Sequence, residues 1–268
     1  MRKLTLLAAA AGLCLPLMLV WAQDKASDKS GDKAQDNVDA ADIIRKFAAK
    51  EAEFREARNN YTYRQTVKME ELDPGGNPSG GKWDEIDDII FTPQGKRMEK
   101  VIWAPVVDLR NITLTSEDTQ DLRDVQPFVL TTAEIGLYNV NYLGREKVDS
   151  IGCYTFSVKA KKMEKGKRYF EGEIWVDDRD LQIVKTYGKG VGMVSKDNQF
   201  PKFETYREQI DGKYWFPTYT HADDTLHFPN GQNQRIRMTV KYQDYKKFEG
   251  KSTITYGQPV TDPATKKK

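Results

Sequence analysis

The chain has 268 residues, 38% of them hydrophobic and 31% charged, with 42 Lys and Arg against 40 Asp and Glu. So even a charge balance excludes the basic footprint of a nucleic-acid binder and gives no steering toward an anionic surface. It has two cysteines, Cys14 and Cys153; because Cys14 lies in an apolar leader, no disulfide framework can form and stability must come from a buried core.

Arg2 and Lys3 precede a predominantly apolar run, Leu4 to Val20, that ends in Val20-Trp21-Ala22. Small residues at the minus-three and minus-one positions predict cleavage after Ala22, with an uncleaved membrane anchor as the alternative. Cys14 follows Leu13 in mid-run, a context that does not fit lipid modification. Removing residues 1–22 as a signal peptide takes away two basic residues and leaves the mature chain formally neutral. The expected location is the periplasm, with peripheral association with the outer membrane left open. Residues 23–38 are rich in Asp, Lys, Ser and Ala and read as a disordered linker. Residues 251–268 read as a flexible basic tail ending in three lysines. The intervening residues 39–250 are long enough for one large core.

That domain begins with a helical pattern over Asp39–Arg58, in which Ile43, Ile44, Phe47, Ala48 and Phe54 fall on one stripe and Asp39 or Asp42 caps the start. Period two then takes over: Tyr61, Tyr63, Val67 and Met69 alternate with polar residues up to the turn Asp73–Pro78. Lys82–Phe91 and Arg97–Trp103 read as the next strands, separated by Pro93-Gln94-Gly95. Thr115-Ser116-Glu117-Asp118 resembles a helix start, and short helices are expected between Ser116 and Ile135. The second half returns to strands. Phe156 and Val158, Phe170 and Ile174, and Met238 and Val240 each share a face, with Asp211-Gly212 and Asn230-Gly231 as turns. Nine to eleven strands behind one helix, with short helices inserted after the third, predict a mainly β, α+β fold. Its core is one strongly curved antiparallel sheet covered on one side.

The chemistry-bearing residue types do not assemble into an active site, and no enzyme, cofactor or metal is expected. His221 and His227, with Asp223 and Asp224 between them, lack a third clear ligand and read as a polar loop between strands. Gly188-Lys189-Gly190-Val191-Gly192 has no helix after it to present amides to a phosphate, so it reads as a bend. Cys153 in a strand pattern reads as a small buried hydrophobe. The cluster Asp84, Glu85, Asp87 and Asp88 lacks the glycine and closing glutamate of a calcium loop. What stands out is 13 Tyr, 11 Phe, 5 Trp and 7 Met, which suit either a packed sheet core or the wall of an apolar cavity.

The order of leader, linker, helix, Tyr61-Thr-Tyr-Arg-Gln65, strands and short helices carries a resemblance. So do Gly144-Arg-Glu-Lys-Val148, Cys153-Tyr-Thr-Phe-Ser-Val158, Phe170-Glu-Gly-Glu-Ile-Trp-Val-Asp177 and Leu181-Gln-Ile-Val-Lys185. The chain resembles the outer-membrane lipoprotein-sorting (LolA/LolB/RseB-like) periplasmic family. The resemblance implies an incomplete antiparallel β-barrel covered by a long N-terminal helix and short lid helices over an apolar cavity for lipid or lipoprotein acyl chains. It implies a carrier or chaperone of the cell envelope, the alternative being an envelope sensor or protein-interaction module built on the same fold. On this reading Tyr63, Val67, Phe156, Val158, Ile174, Met238 and Val240 are cavity candidates, and Arg64 and Arg97 are candidates for an arginine that latches the lid. The expected partners are acyl chains and an envelope protein, not nucleic acid, and the cleaved chain is not expected to be an integral membrane protein. The leader gives the first test: amino-terminal sequencing of the exported form should begin at Gln23, and a full-length chain retained in the inner membrane would reject the cleavage site.

Overall fold

A computed structural model describes residues 38–92 and 94–248, which belong to one compact unit. The expected signal peptide, the expected linker up to residue 37, Pro93 and the expected tail lie outside the described residues. The first element is helix α1, Ala40–Arg58. Three strands follow: β1 (Tyr61–Leu72), β2 (Pro78–Phe91) and β3 (Arg97–Trp103). After them come the five-residue helix α2 (Ser116–Gln120), a π-helical turn at Asp121–Val125 and a 3-10 turn at Ile135–Leu137. The remaining strands are β4 (Tyr138–Val148), β5 (Ile151–Ala160), β6 (Arg168–Asp177), β7 (Ile183–Gly192), β8 (Phe203–Ile210), β9 (Tyr214–His227) and β10 (Asn233–Lys247).

All ten strands join one antiparallel sheet in the order β3-β2-β1-β10-β9-β8-β7-β6-β5-β4. Neighbouring strands are therefore mostly consecutive in sequence, and β10 returns to pair with β1. With β3 and β4 as its two edges, the sheet is not closed into a barrel, and helices are few beside it. Register is set by period-two burial: Val67 opposes Val240, Met69 opposes Met238 and Phe156 opposes Ile174, all buried on one face. Register shifts between Thr62 and Arg64, Trp175 and Val176, and Tyr206 and Arg207 insert extra residues, and such bulges bend and twist the strands they interrupt. The three-residue β8–β9 turn holds Asp211 at φ 55° and Gly212 at φ 66°, both left-handed, with the Lys213 amide donating to the Ile210 carbonyl.

Two expected loops turn out to be strand. The glycines 188, 190 and 192 lie in β7, because small residues are needed where other groups press onto the inner face. Gly188 pairs with Gly172, and a methyl on Gly190 would overlap the carboxylate of Asp121. The stretch His221–His227 is the second half of β9, with Ala222 and Leu226 buried between its polar residues. Asp223 there is ion-paired with both Arg235 and Arg237 of β10, and His227 Nδ1 lies 2.7 Å from Asn233 Oδ1.

The segments packed on the inner face are held by buried carboxylates. In α1, Asp39 caps the start by accepting from the amide of Asp42, and Ile43, Phe47, Ala48, Glu51 and Phe54 form the buried stripe. Phe47 meets Phe156 at 5.5 Å between ring centroids, and Phe54 meets Phe216 edge-on at 5.1 Å. In the middle of this apolar stripe Glu51 is fully buried. It accepts from Arg207 Nη1 at 3.1 Å on both oxygens and from the amide of Ile183 at 3.0 Å. Burial pushes its carboxyl up while Arg207 and the Ile183 amide oppose that rise. Arg207 also donates through Nη2 to the carbonyl of Phe128, so one guanidinium joins α1, β8 and the segment after the π-turn.

At the other end of the sheet Glu71 accepts from the amides of Arg110, Asn111 and Ile112 at 2.8–3.1 Å, fixing the strap that follows β3. Arg168 grips Asp121 through two hydrogen bonds of 2.6 and 2.5 Å, fixing the π-turn to β6. Breaking a buried pair leaves one charge uncompensated, so Glu51→Ala should cost about 3–5 kcal/mol in chemical denaturation. Glu53→Ala, which removes only an exposed pair with Lys50, should stay within about 0.5 kcal/mol. Equal effects of the two variants would show that the Glu51 anchor is dispensable.

Candidate functional site

A cavity of about 270 Å³ lies between the inner face of the sheet and the segments 111–126 and 197–203. Its apolar wall comes from five strands: Met69 of β1, Trp83 of β2, Phe203 of β8, Leu226 of β9, and Ile236 and Met238 of β10. Ile112, Leu114 and Leu122 close it from the cover side, and the exposed Asn111, Thr113 and Asp197 mark its rim. The cover is built locally. Thr115 and Asp118 form a reciprocal capping box that starts α2, and the π-turn that follows carries Leu122 and Val125 inward. Gln126 comes next, with its carbonyl accepting from Thr205 Oγ1 at 2.9 Å and its amide nitrogen 3.7 Å from Met238 Sδ.

The electrostatics of the lining are one-sided. Asp118, Asp121 and Asp197 are its ionisable residues, and no Lys, Arg or His lines it among the described residues. Burial pushes the Asp121 carboxyl up to about 6 against the opposing pull of Arg168, and burial likewise raises Asp118. Arg168 sits behind the wall, stacked on Phe200 at 3.8 Å from its ring centroid. Cys153 is remote from this chemistry: it is buried in a small cluster with Trp175 and Val184, and burial pushes its thiol up to about 11.

All seven residues that sequence alternation singles out as a cavity wall, Tyr63, Val67, Phe156, Val158, Ile174, Met238 and Val240, are buried in the main core cluster on the inner face. Only Met238 lines this cavity. The others pack elsewhere in that cluster, as Phe156 does against Phe47 of α1 and Tyr63 against Tyr242 of β10. The two arginines bind within the sheet. Arg64 is half-exposed and pairs with Asp88 at 2.9 Å, while Arg97 donates to Gln65 Oε1 at 2.9 Å and pairs with Glu99. The arginines that hold the cover are Arg168 and Arg207. A signal for them exists: Phe203, Thr205 and Arg207 share one period-two phase, as do Met69 and Glu71. A charged residue in the buried phase marks an anchor.

No family model matches the chain, and no curated protein matches it. Among solved structures it is similar to a DUF1329 family protein from Desulfovibrio piger, at 16% identity, with 80% of this chain and 95% of that chain covered and a TM-score of 0.44. It is similar to a LolA superfamily protein from Nitrosomonas europaea, at 13% identity, with 78% and 94% covered and a TM-score of 0.35. A putative outer membrane lipoprotein-sorting protein domain from Vibrio parahaemolyticus matches at 15% identity, with 75% and 92% covered and a TM-score of 0.34. At these identities and TM-scores the likenesses assign no function by themselves.

Beside Arg97 the inner face carries a second acidic group. Asp87 of β2 is buried with Oδ1 unpartnered among the described residues. Burial, then Glu85 and Glu99, push its carboxyl up to about 7 although Arg97 opposes the shift. A carboxyl raised on folding binds its proton more tightly in the folded chain, so its contribution to stability is full below the ordinary carboxylate range and is lost as pH rises through about 7. Asp87→Asn mimics the protonated form. It should be more stable than the parent at pH 8, with the difference closing below pH 4, as read from paired denaturation curves. Lower stability of the variant at pH 8 would contradict the buried ionised state.

Proposed function

We propose that this chain is an exported binding protein of the cell envelope that takes an acyl-chain-like ligand into the cavity under segments 111–126, as a carrier or chaperone. The observation that carries this is the cavity itself: a wall of Met, Trp, Phe, Leu and Ile from five strands, closed by three aliphatic residues of the cover and rimmed by polar ones. Binding sites for small molecules are apolar concavities with a few placed polar groups, and this one lies just under the usual range of about 300–1,000 Å³. The sequence resemblance to the lipoprotein-sorting family points the same way. On this reading residues 1–22 direct export, 23–38 tether a domain over 39–250, and α1, α2 and the π-turn act as the lid. Met238 contacts the ligand, while Tyr63, Val67, Phe156, Val158, Ile174 and Val240 form the face on which the lid rests.

A second reading, a protein-interaction module, has its own supporting observation. The edge strand β3 and the residues after it expose Met98, Val101, Ile102, Trp103, Val106 and Val107 together, and an exposed apolar patch of that kind marks an association surface.

Met238 separates ligand wall from closed core. Met238→Glu should abolish bound acyl mass in native mass spectrometry of protein purified from cell envelope, because an unpaired ion in an apolar cavity costs far more than the thioether packing it replaces. Thr239→Glu, on the opposite face of β10, should retain it. Met238→Ala should cost less than the roughly 2–5 kcal/mol of a packed-core truncation. Parent protein free of lipid, together with a full core-sized loss in Met238→Ala, would leave no role for the cavity.

A further inference from the structure

The polar part of the cavity lining identifies which end group an acyl-chain ligand carries, an inference that rests on the binding reading above. We propose that the cavity selects amphiphiles whose polar end donates hydrogen bonds and is neutral or cationic, such as an alcohol, an amide N–H or an amine. It discriminates against chains ending in a carboxylate or phosphate.

Two independent observations carry this. Gln126 is almost wholly buried in the cavity wall, and its Oε1 has no hydrogen-bond partner among the described residues. A buried amide oxygen without a partner carries a desolvation penalty, and a donor brought in by the ligand removes it. The second observation is the sign of the charge. Asp118, Asp121 and Asp197 line the cavity with no cationic side chain among the lining residues described. Arg168, the cation paired with Asp121, is not itself a lining residue. Its side chain is almost fully buried, Nε and Nη2 are committed to Asp121, and Nη1, without a hydrogen-bond partner among the described residues, lies against Gly192, where a Cβ would come within 3.2 Å. Burial raises the carboxyls of Asp118 and Asp121 although Arg168 opposes the rise, so their lost solvation is only partly offset. A cationic or donating head supplies what they lack, whereas an anionic head adds a like charge where solvent is excluded.

The test uses the mature chain and four ligands with one ten-carbon tail: decanol, decylamine, decanoate and decyl phosphate. Each competes at pH 7.5 with a neutral fluorescent probe, N-phenyl-1-naphthylamine. Decanol and decylamine should displace the probe at least about tenfold more tightly than decanoate or decyl phosphate, since like-charge juxtaposition at a binding site opposes association. Asp118→Asn together with Asp197→Asn should narrow that gap, and asparagine keeps the cap of α2 competent because its side-chain oxygen still accepts. Gln126→Leu should weaken decanol and decylamine while leaving the probe bound, so a folding defect is distinguished from a missing acceptor. Equal affinity for all four ligands, or tighter decanoate, would overturn the head-group selection and leave the apolar cavity standing. Failure of the probe and of all four ligands to bind would overturn the cavity reading and this inference together.

Discussion

The contact between Glu51 and Arg207 governs how the covered face of this sheet is assembled. Both side chains are withdrawn from water, and each has the other as its main compensation. Two charges desolvated in this way gain little net stability over a pair of apolar residues, but separating them is costly. Helix α1 is otherwise held by Phe47, Ala48 and Phe54, whose contacts would tolerate a slide along the sheet. The ion pair does not tolerate it, and it fixes α1 in one position over β7 and β8. Arg207 extends the constraint to the carbonyl of Phe128, so the segment that follows the π-turn is positioned by the same guanidinium.

The pattern recurs at each segment of the cover. Glu71 binds three consecutive amides of the strap after β3, and Asp121 ties the π-turn to Arg168. Each anchor requires space on the sheet. Gly81 leaves room for Glu71 and Gly190 for Asp121, since a methyl at either glycine would overlap the carboxylate. Glycine in β7 therefore weakens the strand locally but allows a polar anchor to seat on its inner face. The strap and the π-turn sit at the cavity, and polar contacts at fixed points attach both, beside the apolar packing of Ile112, Leu114, Leu122 and Val125.

Much of this fold is legible in the sequence because burial imposes the alternation. The helical stripe from Ile43 to Phe54, the capping box at Thr115 and Asp118, and the shared face of Val67, Phe156, Ile174, Met238 and Val240 follow from spacing alone. The limits are also physical. Residues that share an inner face are not equally close to a cavity, since depth depends on where the cover touches down, and Val67 and Val240 are fully packed while Met238 is not. The glycines of β7 look like a bend because the carboxylate they accommodate lies 69 positions earlier, at Asp121. Arg64 and Arg97 attract notice next to aromatic residues, yet their partners are neighbours on the sheet. Glu51, Glu71, Arg168 and Arg207 pass as surface charge unless their phase is tracked against the buried set.

Polar anchoring also explains how an apolar cavity persists under the cover. A cover held only by hydrophobic contacts would settle until the gap closed, because apolar surface gains most when it meets other apolar surface at close-packed density. Here the strap cannot approach further without pulling three amides off Glu71, and the π-turn cannot without breaking the Arg168 grip on Asp121. Met69, Trp83, Ile236 and Met238 are thus left facing Ile112, Leu114 and Leu122 across open volume. Such a gap forfeits dispersion energy that an apolar ligand would restore, so on the proposed binding reading occupancy would stabilise the folded chain by an amount that grows with the logarithm of ligand concentration over Kd. On that reading the anchors that hold the cover would couple its position to the presence of a ligand.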